Sequence, residues 1–461
     1  MFKSDKVFIF GMDCMAPQLV FEQWRHELPN LAKLADGGAW GELWSTDPPI
    51  TVPAWTAMMT SKDPGTLGFY GFRNRKSYDY DELYFANAAY VKEKTLWQIL
   101  SRNRKSSVVL GVPQTYPPKP LNGTIVGCFL TPDKEHQYTW PDEAKHELDR
   151  LAEGDYIIDV KEFRTDDKDA LLEQIYTMTR RRFKVVRDWV NTKEWDFFIF
   201  VEMGVDRIHH AYWRYHDVNH RLYEKGHKFE FAIRDYYKYV DEQIGTVLPL
   251  LPKDTQIWVV SDHGARTMAG AVCVNEFFMR EGLLTLKEKP TKQWKLKTSD
   301  IDWSKTVCWG EGGYYSRIFM NVKGREPQGI VEAADYEKTR DMIKAKLEAI
   351  GDEKGNPIGT KAHKPEDLYR TVNNVAPDLM VYFGDLAWRS AGSVGMDALH
   401  VFENDTGPDD ANHARNGMFI LNSPGVKPGK RQGARIYDVA PTVLTTLGIP
   451  VPEDMIGKVI E

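Results

Sequence analysis

Short apolar runs, separated by longer amphipathic stretches, are the feature of this sequence that most restricts its fold. Each run has five or six residues and no charged side chain, and β-branched and aromatic residues are frequent in them. This pattern is typical of strands that are buried on both faces of a sheet. The runs cover residues 7–12, 107–112, 124–129, 197–201, 257–261 and 379–383.

The stretches between these runs repeat apolar residues at helical spacing. They predict helices at residues 96–104, 169–190, 231–251 and 336–350. Strands that alternate with helices indicate an α/β fold, with a mostly parallel central sheet and helices on both of its faces. A chain of 461 residues is long enough to build a large core of this kind.

Residues 285–375 differ in texture from the rest of the chain. They contain more lysine, tryptophan and glycine and fewer buried-strand runs, whereas the core pattern returns from residue 376 onward. We therefore predict a catalytic core made of residues 1–284 and 376–461, with residues 285–375 as a smaller insertion or cap. Its glycine-rich segment 310–315 suggests a lid over a substrate.

Charge and cysteine content exclude several classes of protein. The chain has 60 basic and 66 acidic residues, a net charge of −6, and lacks the basic excess of a nucleic-acid binder. Its four cysteines are isolated, which fits a reducing compartment. No signal sequence or membrane span is evident. We expect a cytoplasmic protein without a nucleic-acid polymer as partner; its oligomeric state stays open.

Acidic and histidine residues lie beside four of the strand-like segments. Three of these groups follow the carboxyl end of a strand, where parallel sheets bind ligands, so we expect them to meet in space. The residues are Asp13, then Asp206 and His210, then Asp262 and His263, and finally His413 just before the apolar run 417–421.

Carboxylate and imidazole ligands suit Zn²⁺ or Mn²⁺. Asp206 and His210 are four residues apart, a spacing that places both on one face of a helix. Six ligands exceed the need of one tetrahedral ion but suit two ions, the arrangement that clamps a reacting phosphoryl group. Each residue alone is more often a turn former, helix cap or ordinary core histidine. The prediction depends on the whole set.

Thr51 is the candidate nucleophile. Prolines on both sides fix its backbone, and a helical pattern follows. A hydroxyl at a helix N-terminus lies at the positive end of the helix dipole, which favours both a phosphate and an alkoxide.

At these residues the sequence resembles the alkaline phosphatase superfamily, and within it the type I phosphodiesterase/nucleotide pyrophosphatase branch. The likeness extends through most of the chain as an ordered series of motifs. They are Asp13 after a strand, Leu28-Pro29-Asn30-Leu31, Gly37-Gly38, Thr51-Val52-Pro53, Thr60 with Pro64 and Gly68, Asp206 to His210, Ser261-Asp262-His263-Gly264, His413 with Ser423-Pro424-Gly425-Val426, and Asp438-Val439-Ala440-Pro441-Thr442.

The resemblance implies a three-layer α/β sandwich that holds two divalent metal ions, most simply Zn²⁺, with Mn²⁺ as the alternative. One ion would bind Asp206, His210 and His413, and the other Asp13, Asp262 and His263. Thr51 would contact both ions and form a covalent phosphothreonine.

The sequence departs from the family pattern around the phosphate-binding asparagine. Direct counting along the family pattern places Phe72 at the position of this asparagine, and Asn74 follows two residues later. Either Asn74 binds the phosphate oxygens, or Arg73 or Arg75 takes over that role. An arginine would favour a phosphomonoester dianion, and an asparagine would favour a diester. Trp55 and Phe72 are candidates for stacking on a flat substrate group, with ordinary core packing as the alternative.

We therefore predict a metal-dependent phosphohydrolase that cleaves a small phosphodiester or pyrophosphate, with a nucleotide as one candidate substrate. Three alternatives remain: a phosphomonoesterase, a phosphotransferase or phosphomutase on the same fold, and a non-catalytic phosphate-binding protein. A sulfatase is disfavoured because neither Cys14 nor Thr51 has the sequence context that formylglycine formation needs.

Overall fold

The computed structural model describes residues 4–461. Its strands are β1 Val7–Met12, β2 Ala39–Trp44, β3 Arg73–Arg75, β4 Leu83–Phe85, β5 Ser107–Leu110, β6 Gly123–Val126, β7 Thr139–Trp140, β8 Phe197–Glu202, β9 Gln256–Val260, β10 Gly264–Thr267, β11 Gly270–Cys273, β12 Cys308–Glu311, β13 Ser316–Met320, β14 Lys361–His363, β15 Leu379–Tyr382, β16 Trp388–Ala391, β17 His400–Val401, β18 Ala411–Ala414, β19 Asn416–Asn422 and β20 Gly429–Lys430.

Helices connect most of these strands. They are α1 Pro29–Asp36, α2 Thr51–Thr60, α3 Pro64–Leu67, α4 Leu96–Arg102, α5 Ala144–Leu151, α6 Lys168–Thr192, α7 Gly204–His216, α8 Ala232–Val247, α9 Val274–Arg280, α10 Tyr336–Glu348, α11 Pro365–Leu368 and α12 Val439–Thr446. The four helices predicted from periodicity are present, with ends that differ by at most four residues.

A nine-stranded sheet forms the centre of the molecule, in the order β20-β2-β19-β9-β1-β8-β5-β6-β7. The five neighbouring strands β9, β1, β8, β5 and β6 are parallel. Strand β19 pairs antiparallel with β9 on one side of them, and β7 pairs antiparallel with β6 on the other. Every residue of β1 and β8 is buried, as the apolar runs predicted. Helices α1, α6, α7 and α8 pack as one group and α2, α4 and α12 as another, so the mixed sheet has helices on both faces.

A second, antiparallel sheet has the order β12-β13-β15-β14 and packs with α9 and α10. Strand β15 lies here, although its apolar sequence was grouped with the parallel core strands. Complete burial of both faces produces the same pattern in either sheet, which explains the difference. The hydrophobic cluster beneath this sheet uses residues between Val272 and Trp388, together with Tyr80. We call this region the antiparallel unit; the predicted boundaries at 285 and 375 stay predictions.

Candidate active site

The carboxyl ends of three adjacent parallel strands carry the predicted acidic residues. Strand β1 lies between β9 and β8, and the residues that follow these strands therefore meet at one edge of the sheet. Asp13 follows β1 directly, and Asp262 comes two residues after β9. Helix α7 begins two residues after β8 and presents Asp206 and His210 one turn apart. The expected convergence at the strand ends is present.

The remaining two predicted residues come from elements beside this edge. His413 lies on β18, which pairs antiparallel with β10 and places His413 opposite Ala265. Strand β10 begins directly after Asp262 and His263, so His413 lies close to both residues. Thr51 is the first residue of α2, and its hydroxyl lies 3.4 Å from Nε2 of His263. All seven side chains named as metal ligands or nucleophile are buried.

The first group of candidate ligands consists of Asp206, His210 and His413. Nε2 of His210 lies 3.2 Å from Oδ1 of Asp206 and 3.3 Å from Nε2 of His413. Nε2 of His413 is 3.8 Å from the same carboxylate oxygen. The three ligand atoms therefore surround one point, and we call these residues the first metal group.

The second metal group consists of Asp13, Asp262 and His263. Nε2 of His263 lies 3.2 Å from Oδ2 of Asp262 and 3.9 Å from Oδ1 of Asp13. His263 also connects the two groups, because its ring stacks on that of His413 at a centroid distance of 3.8 Å. Its ligand atom lies close enough to Asp206 and His413 to contribute to a site with them.

The histidine rings are oriented by hydrogen bonds on their outer nitrogens. Nδ1 of His263 lies 3.2 Å from the Gly264 carbonyl oxygen, and Nδ1 of His413 lies 3.0 Å from that of Pro49. Nδ1 of His210 lies 2.8 Å from Oδ1 of Asp409. Each acceptor requires Nδ1–H as the donor, so Nε2 faces the carboxylates. Histidines that bind metals in proteins are held in the same manner.

The charges inside this cluster are not balanced by the protein. Burial raises the pKa of both Asp13 and Asp262, and neighbouring carboxylates raise it further. Oδ1 of Asp13 and Oδ2 of Asp262 are buried and have no hydrogen-bond partner within residues 4–461. Burial also lowers the pKa of His263 to about 4, which leaves its Nε2 lone pair free. Buried carboxylates in this state are costly unless a cation binds them.

In the first metal group, the neighbouring carboxylates favour the protonated form of His210. Burial alone would lower the pKa of His210, but Asp409 and Asp206 raise it to about 9. Burial would likewise raise the pKa of Asp206, whereas His210 and Arg207 hold it well below its usual range. A proton on Nε2 of His210 lies between Asp206 and His413, and a divalent cation that replaces it would satisfy all three ligands. The two groups fit two divalent cations.

Neighbouring side chains orient one carboxylate of each metal group. The indole N–H of Trp55 donates to Oδ2 of Asp13 at 2.7 Å. The guanidinium of Arg207 donates to Oδ2 of Asp206 at 2.7 Å and also binds Asp159. Trp55 has no exposed surface, so its placement supports a role in orienting Asp13 and does not support the substrate contact predicted for it.

Asn74 and Arg75 are engaged in structural contacts. The Asn74 side chain accepts a hydrogen bond from the Tyr70 backbone and donates to the Gly71 carbonyl, which stabilises this turn. Arg75 is buried and binds Glu326 at 3.2 Å in the antiparallel unit. Its guanidinium has a buried carboxylate partner, so the structure does not support Arg75 as a phosphate ligand. The predicted catalytic role of Asn74 stays a prediction.

Arg73 and Phe72 are more accessible than their neighbours. Arg73 is exposed, and its guanidinium lies over the ring of Phe85 at 5.1 Å from the centroid. Phe72 is half-buried and meets Phe129 edge to face, with ring centroids 6.0 Å apart. These two residues retain their predicted roles in substrate binding as predictions.

Three functional candidates were missed by the sequence reasoning: Arg164, Tyr314 and Asp409. They form a hydrogen-bonded chain that ends on His210. Tyr314 belongs to the glycine-rich segment 310–315 that is predicted to be a lid, but nothing in the sequence connects it with a histidine more than a hundred residues away. Asp409 precedes His413 by only four residues, and this proximity was the one available signal.

A parallel sheet whose strand ends hold two adjacent groups of carboxylates and imidazoles, beside a buried threonine, is typical of two-metal enzymes that act on phosphate esters. The chain belongs to the type I phosphodiesterase/nucleotide pyrophosphatase family, whose model matches residues 7–409. It is a hydrolase that acts on phosphoric ester bonds. His413 lies just beyond the matched residues, so its place in the site is supported by the geometry alone.

Solved structures give the same fold. Human ectonucleotide pyrophosphatase/phosphodiesterase 5 is 10% identical, with a TM-score of 0.57 over 97% of this chain and 96% of that one. The murine protein of the same name is also 10% identical, with a TM-score of 0.57 and 97% of each chain covered. No curated protein sequence matches significantly. Within the described residues, no helix combines the length and apolar character that crossing a bilayer requires.

Proposed function

We propose that this protein cleaves small phosphodiesters or pyrophosphates through a covalent intermediate on Thr51, with two divalent cations bound beside it. The observation that carries the proposal is the position of Thr51. Its hydroxyl lies at the N-terminus of α2 and 3.4 Å from His263, the residue that connects both metal groups. A phosphate at this point would meet the helix N-terminus and both groups together.

Asp206, His210 and His413 would hold one cation, and Asp13, Asp262 and His263 the other. The cations would lower the pKa of hydroxyl groups near them and neutralise charge on the phosphoryl oxygens. The donor set contains no thiolate and favours Zn²⁺, with Mn²⁺ as the alternative.

Thr51 is the residue that forms and breaks bonds in this scheme. Its Oγ attacks phosphorus in line with the leaving group, so that the P–Oγ bond forms as the bond to the leaving oxygen breaks. The hydroxyl proton of Thr51 ends on the leaving alcohol or phosphate. A water molecule then attacks phosphorus, the P–Oγ bond breaks, and a proton returns to Thr51. The first step releases the leaving group and leaves the phosphoryl group on Thr51, and the second step releases the phosphoryl product and restores the free enzyme.

Aromatic side chains beside the start of α2 support a substrate with a flat leaving group. Phe72 and Phe129 are half-buried and pack against the hydrophobic cluster that contains Val52, the residue after Thr51. Aromatic rings of this kind can stack on a nucleobase, and a nucleotide is our first candidate substrate.

A phosphomonoester is the second candidate, and Arg73 is the observation that favours it. Arg73 is exposed and its guanidinium lies over the ring of Phe85, so its N–H groups can donate two parallel hydrogen bonds to the oxygens of a phosphate dianion. A phosphodiester has fewer charged oxygens and would gain less from this residue.

We also propose a cytoplasmic location. All four cysteines are buried free thiols, a state that fits a reducing compartment. Fractionation of the source cells with an antibody against the protein would test this, and recovery outside the cytoplasm would contradict it.

A paired assay tests the proposed activity. Purified protein is given bis(p-nitrophenyl) phosphate and p-nitrophenyl phosphate under the same conditions, with and without a chelator. We expect faster cleavage of the diester, loss of activity on chelation, and recovery with Zn²⁺ or Mn²⁺. Acid quenching during turnover, followed by mass spectrometry, should find phosphate on Thr51. Undiminished activity in the metal-free protein, or phosphate on another residue, would contradict the proposal.

A further inference from the structure

A loop of the antiparallel unit reaches the first metal group. It follows β12, and its backbone is fixed by reciprocal hydrogen bonds between Gly313 and Ser390, each 2.8 Å long. Gly312 lies so close to the neighbouring chain that a Cβ atom there would be 2.5 Å from the backbone nitrogen of Gly392. These contacts anchor the loop and direct the next residue, Tyr314, toward the metal histidines.

The ring of Tyr314 covers both histidines of the first metal group. It stacks on His210 with ring centroids 4.9 Å apart and an interplanar angle of 18°. It also stacks on His413 at 4.4 Å and 29°. A single aromatic ring therefore limits the rotation of two imidazoles whose ligand atoms must point at the same cation.

The hydroxyl of Tyr314 extends this contact to Asp409. It donates to Oδ2 of Asp409 at 2.9 Å and accepts from Arg164 at 2.7 Å, and Arg164 also binds the same carboxylate oxygen. The other oxygen of Asp409 accepts from Nδ1 of His210. Tyr314 thus acts on His210 twice, through the ring and through Asp409.

We propose that Tyr314 is a positioning residue that selectively maintains the first metal group. The second metal group has different supports, since Trp55 holds Asp13 and the Cys14 backbone holds Asp262 at 3.1 Å, both within the core. Loss of Tyr314 should therefore weaken one cation site and leave the other nearly intact. This inference rests on the proposed function, because it needs two cations to be bound.

Metal titration tests the inference without an activity assay. The wild type, Tyr314→Ala and Tyr314→Phe are stripped of metal, checked for folding by circular dichroism, and titrated with Zn²⁺ in a calorimeter. Tyr90→Ala is the matched control, because Tyr90 is 41% exposed and packs on Tyr84, outside the metal groups.

We expect two equivalents of Zn²⁺ for the wild type and for Tyr90→Ala. In Tyr314→Ala one equivalent should bind as in the wild type and the other about 10- to 100-fold more weakly, the range found when supports of metal ligands are removed. Tyr314→Phe keeps the ring and loses the hydroxyl, so its weaker equivalent should lie between those two.

The outcomes separate the two proposals. Wild-type affinity for both equivalents in Tyr314→Ala would overturn the positioning role, and so would equal weakening of both. If Tyr314→Ala does not fold, Tyr314→Phe decides, and affinities within about twofold of the wild type would overturn the role. A wild type that binds fewer than two equivalents would instead contradict the proposed two-cation function. The selective role of Tyr314 needs two bound cations and would then fall together with the proposed function.

Discussion

Two clusters of buried charge, one in the antiparallel unit and one at the strand ends of the core, differ in how far the protein neutralises them. In the antiparallel unit, Glu326 accepts hydrogen bonds from Arg75, Arg325 and the Val322 backbone. Asp378 accepts from Arg325 and from the Tyr336 hydroxyl. Glu326 and Asp378 therefore each have a buried or half-buried arginine beside them.

The core cluster lacks such compensation. Three carboxylates and three imidazoles converge there. Of these three carboxylates, Arg207 hydrogen-bonds to Asp206, and it also binds Asp159 outside the cluster. One oxygen of Asp13 and one of Asp262 have no hydrogen-bond partner among residues 4–461. Both clusters are buried at a comparable depth. The difference indicates that the paired cluster stabilises the fold, whereas the unpaired cluster is built to be completed by cations.

Removal of the nucleophile should have the largest effect on the core cluster. Thr51→Ala keeps all six proposed ligands but lacks the oxygen that attacks phosphorus. We expect diester hydrolysis to fall by at least ~10³-fold with two cations still bound. Steady-state kinetics and metal analysis of the same preparation measure both effects. Thr51→Ser is the control and should retain much of the activity. Near wild-type turnover by Thr51→Ala would remove Thr51 from the mechanism.

Neutralising one carboxylate in each cluster should have opposite effects on stability. Asp262→Asn should weaken cation binding by at least ~100-fold, yet stabilise the metal-free protein at neutral pH, because burial opposes the charge of Asp262. Glu326→Gln should lower the free energy of unfolding by about 3 kcal/mol and leave cation binding unchanged. Denaturant titration and metal titration measure the two quantities. A loss of stability in metal-free Asp262→Asn would contradict the proposed difference between the two clusters.

Two arginines that flank Asn74 offer a matched pair. Arg75→Ala leaves Glu326 without one of its partners and should cost about 3 kcal/mol of stability or more. Arg73→Ala should leave stability unchanged and raise KM about tenfold, because the binding free energy lost with one hydrogen bond to a charged group corresponds to about that factor. Thermal unfolding and substrate-dependent kinetics distinguish the two. If Arg73→Ala changes neither KM nor kcat, the residue does not contact the substrate.

The smallest effect concerns Asp410, a buried neighbour of Asp409. Burial raises its pKa to about 7, so the folded state keeps a proton that the unfolded chain has already released. The free energy of unfolding should therefore fall as pH rises from about 4 to about 7. Asp410→Asn removes this contribution, and its loss of stability over that interval should be smaller than in the wild type. Denaturant titrations of both proteins at several pH values test this. Equal slopes of unfolding free energy against pH in the wild type and in Asp410→Asn would contradict the role of Asp410.

Much of the core could be predicted from the sequence because its signals are local. The strands were recognisable from uncharged runs, and β1 has the predicted bounds, 7–12. The convergence of Asp13, Asp206 and Asp262 followed from one topological rule, that parallel strands place their carboxyl ends at one edge. The assignment of β15 to a second sheet could not be predicted, because a run buried on both faces does not reveal its partners.

The contacts between distant segments were also beyond sequence reasoning. Arg75 looked like a phosphate ligand because it follows Thr51 and Gly68, and only folding places Glu326 against it. Trp55 looked available for stacking because the sequence does not reveal that its indole N–H donates to Asp13, which lies 42 residues away along the chain. Tyr314 lies in the loop between β12 and β13 and stacks on His210, and no sequence motif indicates this contact.

Crystallography of the protein grown with Zn²⁺, with data collected on both sides of the zinc absorption edge, tests the central claim most directly. The account predicts two anomalous peaks roughly 4 Å apart, one among Asp206, His210 and His413 and one among Asp13, Asp262 and His263, with the Thr51 hydroxyl beside them. No peak at these residues, or zinc bound only elsewhere on the surface, would contradict it.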